Sequence, residues 1–155
     1  MRATDFHCTT AIAAAPEQVW EALTEARLTA QFWFNLRIDS TLKQGAAIAL
    51  AEPDGRIAIA GEITRLERPY ELAFSWRYTD LEDPASLVVL RLEALDVGTL
   101  LSVMHTDLAA ESATRAVDGW PLILSGLKTL LETPIAVDFS AALPYAEPLD
   151  QIGAG

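Results

Sequence analysis

The spacing of apolar and polar positions changes twice along this chain. In the opening TDFHCTTAIAA, Phe6, Cys8, Thr10 and Ile12 alternate with more polar neighbours, the period of a half-buried strand. Pro16 then suits the first turn of a helix, where its missing amide costs nothing, and Glu17 suits the positive end of the helix dipole. Val19, Trp20 and Leu23 share one face at helical spacing. Thr24 is expected to cap a second short helix carrying Leu28, Phe32 and Trp33.

From Asn35 to Leu108 the period returns to two. Ile48 and Leu50 mark one strand. The turn EPDGR follows, with Gly55 free to take positive φ, and Ile57, Ile59, Gly61 and Ile63 are expected to line one face of the next strand. After Arg68 and Pro69, Leu72, Phe74, Trp76 and Tyr78 alternate with Glu71, Ala73, Ser75 and Arg77. A loop through Asp80, Asp83 and Pro84 leads into SLVVLRLEAL, and a turn at Asp96 to Gly98 returns the chain into TLLSVMHTDL. Connections this short favour antiparallel neighbours, because a parallel crossover needs about a dozen residues or more.

The last periodic element is helical. Trp120, Ile123, Leu124, Leu127, Leu130 and Leu131 form one stripe, with Lys128, Thr129 and Glu132 on the other side. Asp118 as cap, Pro121 in the first turn and Pro134 as stop predict a helix of ~12 residues, about 18 Å long. A many-stranded sheet twists and curls, and its concave side needs an apolar cover that only this helix supplies. The expected fold is α+β, a helix-grip domain over residues 1–133. It has a curved antiparallel sheet of about six or seven strands around the long C-terminal helix, with two short helices after the first strand. Residues 134–155 are expected as a C-terminal extension, with Ile135, Val137, Phe139, Leu143 and Tyr145 packing on the domain or on a partner subunit.

Composition narrows the classes of function. Twenty-two acidic residues against 11 basic ones give a net charge of -11, which repels phosphate backbones and anionic lipid surfaces. No nucleic-acid or membrane partner is expected, and no stretch approaches the ~18 apolar residues of a membrane span. Cys8 is the only cysteine, so no intramolecular disulfide can form and a cytoplasmic location is expected. His7, His105 and Cys8 include no closely spaced pair for a zinc site, and no phosphate loop or nucleophile elbow is present. No metal or other cofactor is expected.

Four segments occur in a set order: APEQVWEALTEARLTAQFW, GEITRLERPYELAFSWRY, GTLLSVMHTDL and GWPLILSGLKTLLE. Together they resemble the bacterial homologues of the activator of heat-shock-protein-ninety ATPase, within the START-related, birch-pollen-allergen-like superfamily. The resemblance spans residues 5–133. It implies a helix-grip fold with a cavity between sheet and helix, which the superfamily commonly uses for apolar small molecules. In the family pattern the last strand ends with His, Ser or Thr, then Gly-Leu, whereas this chain reads His105, Thr106, Asp107, Leu108. The additional N-terminal domain of the eukaryotic co-chaperones is not expected, so the resemblance does not carry ATPase activation with it.

The candidate site is aromatic. If Phe74, Trp76 and Tyr78 face the cavity, they supply flat apolar walls with polar tips, joined by Trp33 and Trp120; the alternative is ordinary core packing. His105 shares its parity with Leu101 and Val103, a face that the family pattern turns toward the helix. There it either bonds a ligand carbonyl or hydroxyl, shuttles a proton, or serves the backbone structurally, with Asp107 placed to orient it. The leading expectation is a protein that binds an apolar or aromatic small molecule. A cyclase- or hydratase-like enzyme using His105 and a co-chaperone-like interaction protein with a filled cavity are the alternatives, and a homodimer is left open.

Overall fold

Among the described residues, the alternating first segment is an edge strand that pairs with the last strand alone. A computed structural model describes residues 4–133. Strand β1 (Thr4–Ile12) is followed by helices α1 (Pro16–Thr24) and α2 (Ala26–Phe32). Six strands come next: β2 (Arg37–Ser40), β3 (Ala47–Ala51), β4 (Ile57–Glu67), β5 (Glu71–Tyr78), β6 (Ser86–Leu95) and β7 (Gly98–Leu108). Helix α3 (Ala110–Glu132) completes the fold. The seven strands form one sheet in the order β1-β7-β6-β5-β4-β3-β2, with every neighbouring pair antiparallel. This is the expected helix-grip fold, a curved sheet closed over by α3. The expected C-terminal extension lies outside the described residues.

Period-two alternation sets which face is covered. On β7, Leu101, Val103 and His105 are fully buried, and on β6 Val88, Leu90 and Leu92 are buried beside them. The helical stripe meets this face with Ile123, Leu124, Leu127 and Leu130, which are buried as their spacing predicted. On β4 the stripe is shorter than expected, since Ile59 and Ile63 are buried but Ile57 is 45 % exposed. Between them Gly61 runs so close to the Ser75 carbonyl of β5 that any Cβ would collide with it.

Two expectations about helix ends are corrected. Thr24 ends α1 rather than starting α2: its hydroxyl donates to the Trp20 carbonyl (2.7 Å), and Glu25 occupies the cap position. Helix α3 begins eight residues before Asp118 and runs for 23 residues, about 35 Å. Its first turn is capped from outside, because one carboxylate oxygen of Asp83 accepts from both the Ser112 amide (2.9 Å) and the Ser112 hydroxyl (2.8 Å). A carboxylate there meets the orphan donors and the positive end of the dipole together. Pro121 sits inside the helix and removes the amide that would reach the Val117 carbonyl. Val117 is 40 % exposed, so solvent can serve that carbonyl.

Small side chains set how closely the helices approach. A Cβ on Gly126 would press on Phe32 of α2 at 3.1 Å, so glycine lets α3 and α2 pack tightly. Thr29 of α2 donates to the Ala26 carbonyl and accepts from the Ile38 amide (3.1 Å), tying the short helices to the edge strand β2. The pair α1–α2 is thereby held against one side of α3, leaving its N-terminal half over the ends of β4 and β5.

Candidate functional site

At that end of the sheet the side chains do not fill the space under the helix. A pocket of about 670 Å³ lies between α3, the ends of β4 and β5, and the segment after α2. Trp33, Trp76 and Trp120 form its inner wall, and Tyr78 continues the wall toward the mouth. The three indoles surround one another, with ring centres 6.2 Å apart for Trp33–Trp76, 5.6 Å for Trp33–Trp120 and 5.4 Å for Trp76–Trp120. Each comes from a different element, so the wall exists only in the folded chain. Around the mouth Phe34, Ile57 and Leu122 are exposed and form an apolar rim.

Charged groups ring the same mouth, and both arginines among them are paired with carboxylates. Both guanidinium NH2 groups of Arg115 donate to the Asp80 carboxylate at 2.8 Å, a fork that bridges α3 to the loop after β5. This contact holds the Asp80 carboxyl below its usual range. The same guanidinium lies 5.1 Å from the centre of the Tyr78 ring, so the ring carries the cation on its face. Arg56 bonds Glu52 at 2.7 Å across the β3–β4 turn. Among the described residues no group of three His, Cys, Asp or Glu is arranged to hold a metal ion.

Of the expected site residues, Trp33, Trp76, Tyr78 and Trp120 border the pocket. Phe74 and His105 lie behind the wall. Phe74 is buried and stacks on Trp76 with ring centres 6.0 Å apart. His105 is fully buried, and both ring nitrogens are engaged. Trp120 Nε1–H can only donate, and it donates to Nδ1 at 3.0 Å. A neutral ring therefore carries its proton on Nε2, which faces Ser86 Oγ at 2.7 Å. The Ser86 hydroxyl in turn donates a hydrogen bond to the Trp76 carbonyl at 3.1 Å. Every donor in this chain has one acceptor, running from Trp120 through His105 and Ser86 to Trp76.

Of the roles expected for His105, the geometry fits the structural one, with the side chains of Ser86 and Trp120 in place of a backbone carbonyl. Burial pushes its pKa down to about 4, so the imidazole is neutral near pH 7 and has no free lone pair or proton to offer a bound molecule. It positions Trp120 and does not reach into the pocket. Asp107 does not orient it either. Asp107 turns into the left-handed region at φ 62° and is exposed, and its amide is held by Asp5 Oδ1 at 3.1 Å. Ser86 and Asp83 escaped the sequence reading, since a serine opening a strand and an aspartate in a loop carry no periodic signal.

Comparison with known proteins places the fold. The sequence model of the Activator of Hsp90 ATPase homolog 1-like protein family matches residues 13–132. The chain belongs to this family. Among solved structures, CalU16 from Micromonospora echinospora is 26 % identical with a TM-score of 0.71, covering 86 % of this chain and 79 % of that one. PFC0360w, an HSP90 activator from Plasmodium falciparum, is 23 % identical with a TM-score of 0.71, covering 82 % and 95 % of the two chains. The Aha1 dimer from Colwellia psychrerythraea is 19 % identical with a TM-score of 0.69, covering 84 % and 97 %. The latter two share the fold alone. No curated protein matches the chain significantly. Near the end of β7, Asp107 adopts the left-handed backbone that glycine takes most easily. No helix of the described residues is long and apolar enough to cross a membrane.

Proposed function

We propose that this family member is a cytoplasmic small-molecule-binding protein whose pocket takes a flat, largely apolar ligand. The observation that carries the reading is that three indoles and a phenol from α3, β5 and the end of α2 border one open volume of about 670 Å³. Pockets of roughly 300–1,000 Å³ with aromatic walls and few polar groups suit drug-sized ligands. Burying apolar ligand surface there gains about 25 cal/mol per Å². A cytoplasmic setting accords with the single, half-buried Cys8, whose thiol is pushed up in pKa by burial and so is poorly reactive. The enzyme alternative is weaker, because His105 has both nitrogens committed.

The test is a titration of the intrinsic tryptophan fluorescence with a naphthalene dye, alongside native mass spectrometry of the purified protein. Saturable quenching is expected, and replacing Trp33 by Leu weakens it. A response that never saturates and is unchanged by Trp33→Leu sinks the ligand reading.

A second reading has its own support. The apolar rim of Phe34 (56 % exposed) and Leu122 (62 % exposed) suits a protein partner, as in a co-chaperone-like protein, or a second copy of this chain. A homodimer would show in sedimentation of the full chain as a mass twice that of the monomer, lost in the Phe34→Ser, Leu122→Ser double variant.

A further inference from the structure

Tyr78 closes strand β5 beside the pocket, and its side chain is half-buried. Its hydroxyl makes no well-formed hydrogen bond to another described residue. The only buried side-chain nitrogen or oxygen there without a partner is Trp76 Nε1, so the Tyr78 oxygen is not sealed and solvent reaches it. Two neighbours act on this phenol from the protein side. The sealed Trp76 N–H points at it, with the two rings edge to face at 81° and their centres 5.7 Å apart. The Arg115 guanidinium covers the ring face at 5.1 Å.

Both neighbours bring positive charge to the phenol, one as a dipole and one as a cation. They strengthen the hydroxyl as a donor, and an N–H aimed at the oxygen turns the hydroxyl's own proton away from Trp76. Burial is the larger influence and pushes the phenol pKa above its ordinary 10, so the proton stays on at neutral pH. A hydroxyl also rotates to meet an acceptor, which the rigid indole N–H of Trp33, deeper in the wall at 2 % exposed, cannot do. A ligand that expels solvent from Tyr78 without offering an acceptor gives up a hydrogen bond.

Charge in the lining selects the kind of acceptor. Both arginines are held by carboxylates, Arg56 by Glu52 and Arg115 by Asp80. Asp118 adds a further carboxylate, so acidic groups outnumber basic ones three to two. That field opposes an anion. Building on the ligand reading, we infer that the Tyr78 hydroxyl is the polar anchor of the pocket and donates to a neutral acceptor on a flat aromatic ligand. The class is a ketone, ester or amide whose ring system lies against Trp33 and Trp120.

Three probes of one shape test this: 2-acetylnaphthalene, the hydrocarbon 2-isopropenylnaphthalene and the anion 2-naphthoate. Each is titrated into the full chain and into Tyr78→Phe, which removes one oxygen and keeps the ring under Arg115. With ¹³C in its carbonyl, the ketone also reports the hydrogen bond through its chemical shift. In the native chain the ketone is expected to bind roughly 3- to 10-fold more tightly than the hydrocarbon. Its carbonyl signal moves downfield of the same ketone in a hydrocarbon solvent, and naphthoate binds weakest. In Tyr78→Phe the ketone falls to the level of the hydrocarbon and the carbonyl signal moves back upfield. Should that variant not fold, 3-fluorotyrosine in place of tyrosine makes a stronger donor at the same oxygen. The carbonyl signal then moves further downfield, and an unmoved signal overturns the anchor. A ketone that keeps its advantage in Tyr78→Phe also overturns it and assigns the donor to another residue. Equal binding of ketone and hydrocarbon by the native chain overturns the anchor and leaves the pocket reading standing. Tightest binding by naphthoate overturns the neutral class. If none of the three binds, the ligand reading fails and the anchor with it.

Discussion

The two halves of helix α3 do opposite things with the same sheet. The C-terminal half is closed: Leu124, Leu127 and Leu130 are buried. Its polar side is tied to the end of β1, where Lys128 Nζ donates to the Ala11 carbonyl (2.6 Å) and Glu132 accepts from the Ala13 amide (2.8 Å). The N-terminal half presents small residues, Ala116 and Gly119, and then one large ring, Trp120. Small residues cannot reach the sheet, so a volume opens beneath them, and the contacts there are polar latches to Asp83 and Asp80. One half supplies stability by excluding water, and the other gives up packing for a pocket.

The closed half should yield the largest effect. Replacing Leu127, which is fully buried, by Ala is expected to cost about 2–5 kcal/mol in urea unfolding, through lost transfer energy and the cavity left behind. A loss under about 1 kcal/mol would mean that this half is not the seal of the fold.

The open half is held by the His105 chain, and pH tests that chain. The His105 pKa falls from an ordinary 6.5 to about 4 in the folded protein. Above pH 6.5 both folded and unfolded chains keep the imidazole neutral, and its full contribution is present. As pH falls from 6.5 toward 4 the unfolded chain takes up a proton that the folded chain refuses, so stability is lost. At about 1.36 kcal/mol per pH unit this approaches ~3 kcal/mol. Carboxylates titrate in the same window, so His105→Gln is the control. The stability gap between native chain and variant should shrink between pH 7 and pH 4; a constant gap shows an imidazole open to solvent.

The same division explains what was legible in the sequence. The closed half announces itself, because Ile123, Leu124, Leu127 and Leu130 are large, apolar and helically spaced. The open half reads AESATRAVDG, with little hydrophobic contrast, so Pro121 looked like a beginning. Its true cap, Asp83, lies 29 residues from Ser112 and follows from no local pattern. Period two on β5 put Phe74, Trp76 and Tyr78 on one parity, and of these Trp76 and Tyr78 border the pocket beside Trp33 and Trp120. Parity grouped His105 with Leu101 and Val103, and the resemblance turned that face inward, but neither could show that Ser86 and Trp120 would consume both nitrogens. Faces follow from periodicity; partners across the fold do not.

The smallest expected effect concerns the hinge between sheet and open half. Asp107 is the penultimate residue of β7, and at φ 62° it turns the chain toward α3. A side chain in the left-handed region costs roughly 1–2 kcal/mol, less for aspartate, which tolerates it. The Asp107 amide donates to Asp5 Oδ1, a bond that any residue but proline preserves. Asp107→Gly relieves the backbone cost but adds freedom to the unfolded chain worth about 0.4–1 kcal/mol, so the two nearly cancel and stability should stay within ~0.5 kcal/mol. Asp107→Val keeps the unfolded chain stiff and cannot relax at positive φ, so it should lose about 1–2 kcal/mol. Thermal unfolding of the pair separates these outcomes. Equal melting of the Gly and Val variants would show that the turn at Asp107 is not left-handed in solution, and the path from β7 into the pocket-bearing half of α3 would have to differ.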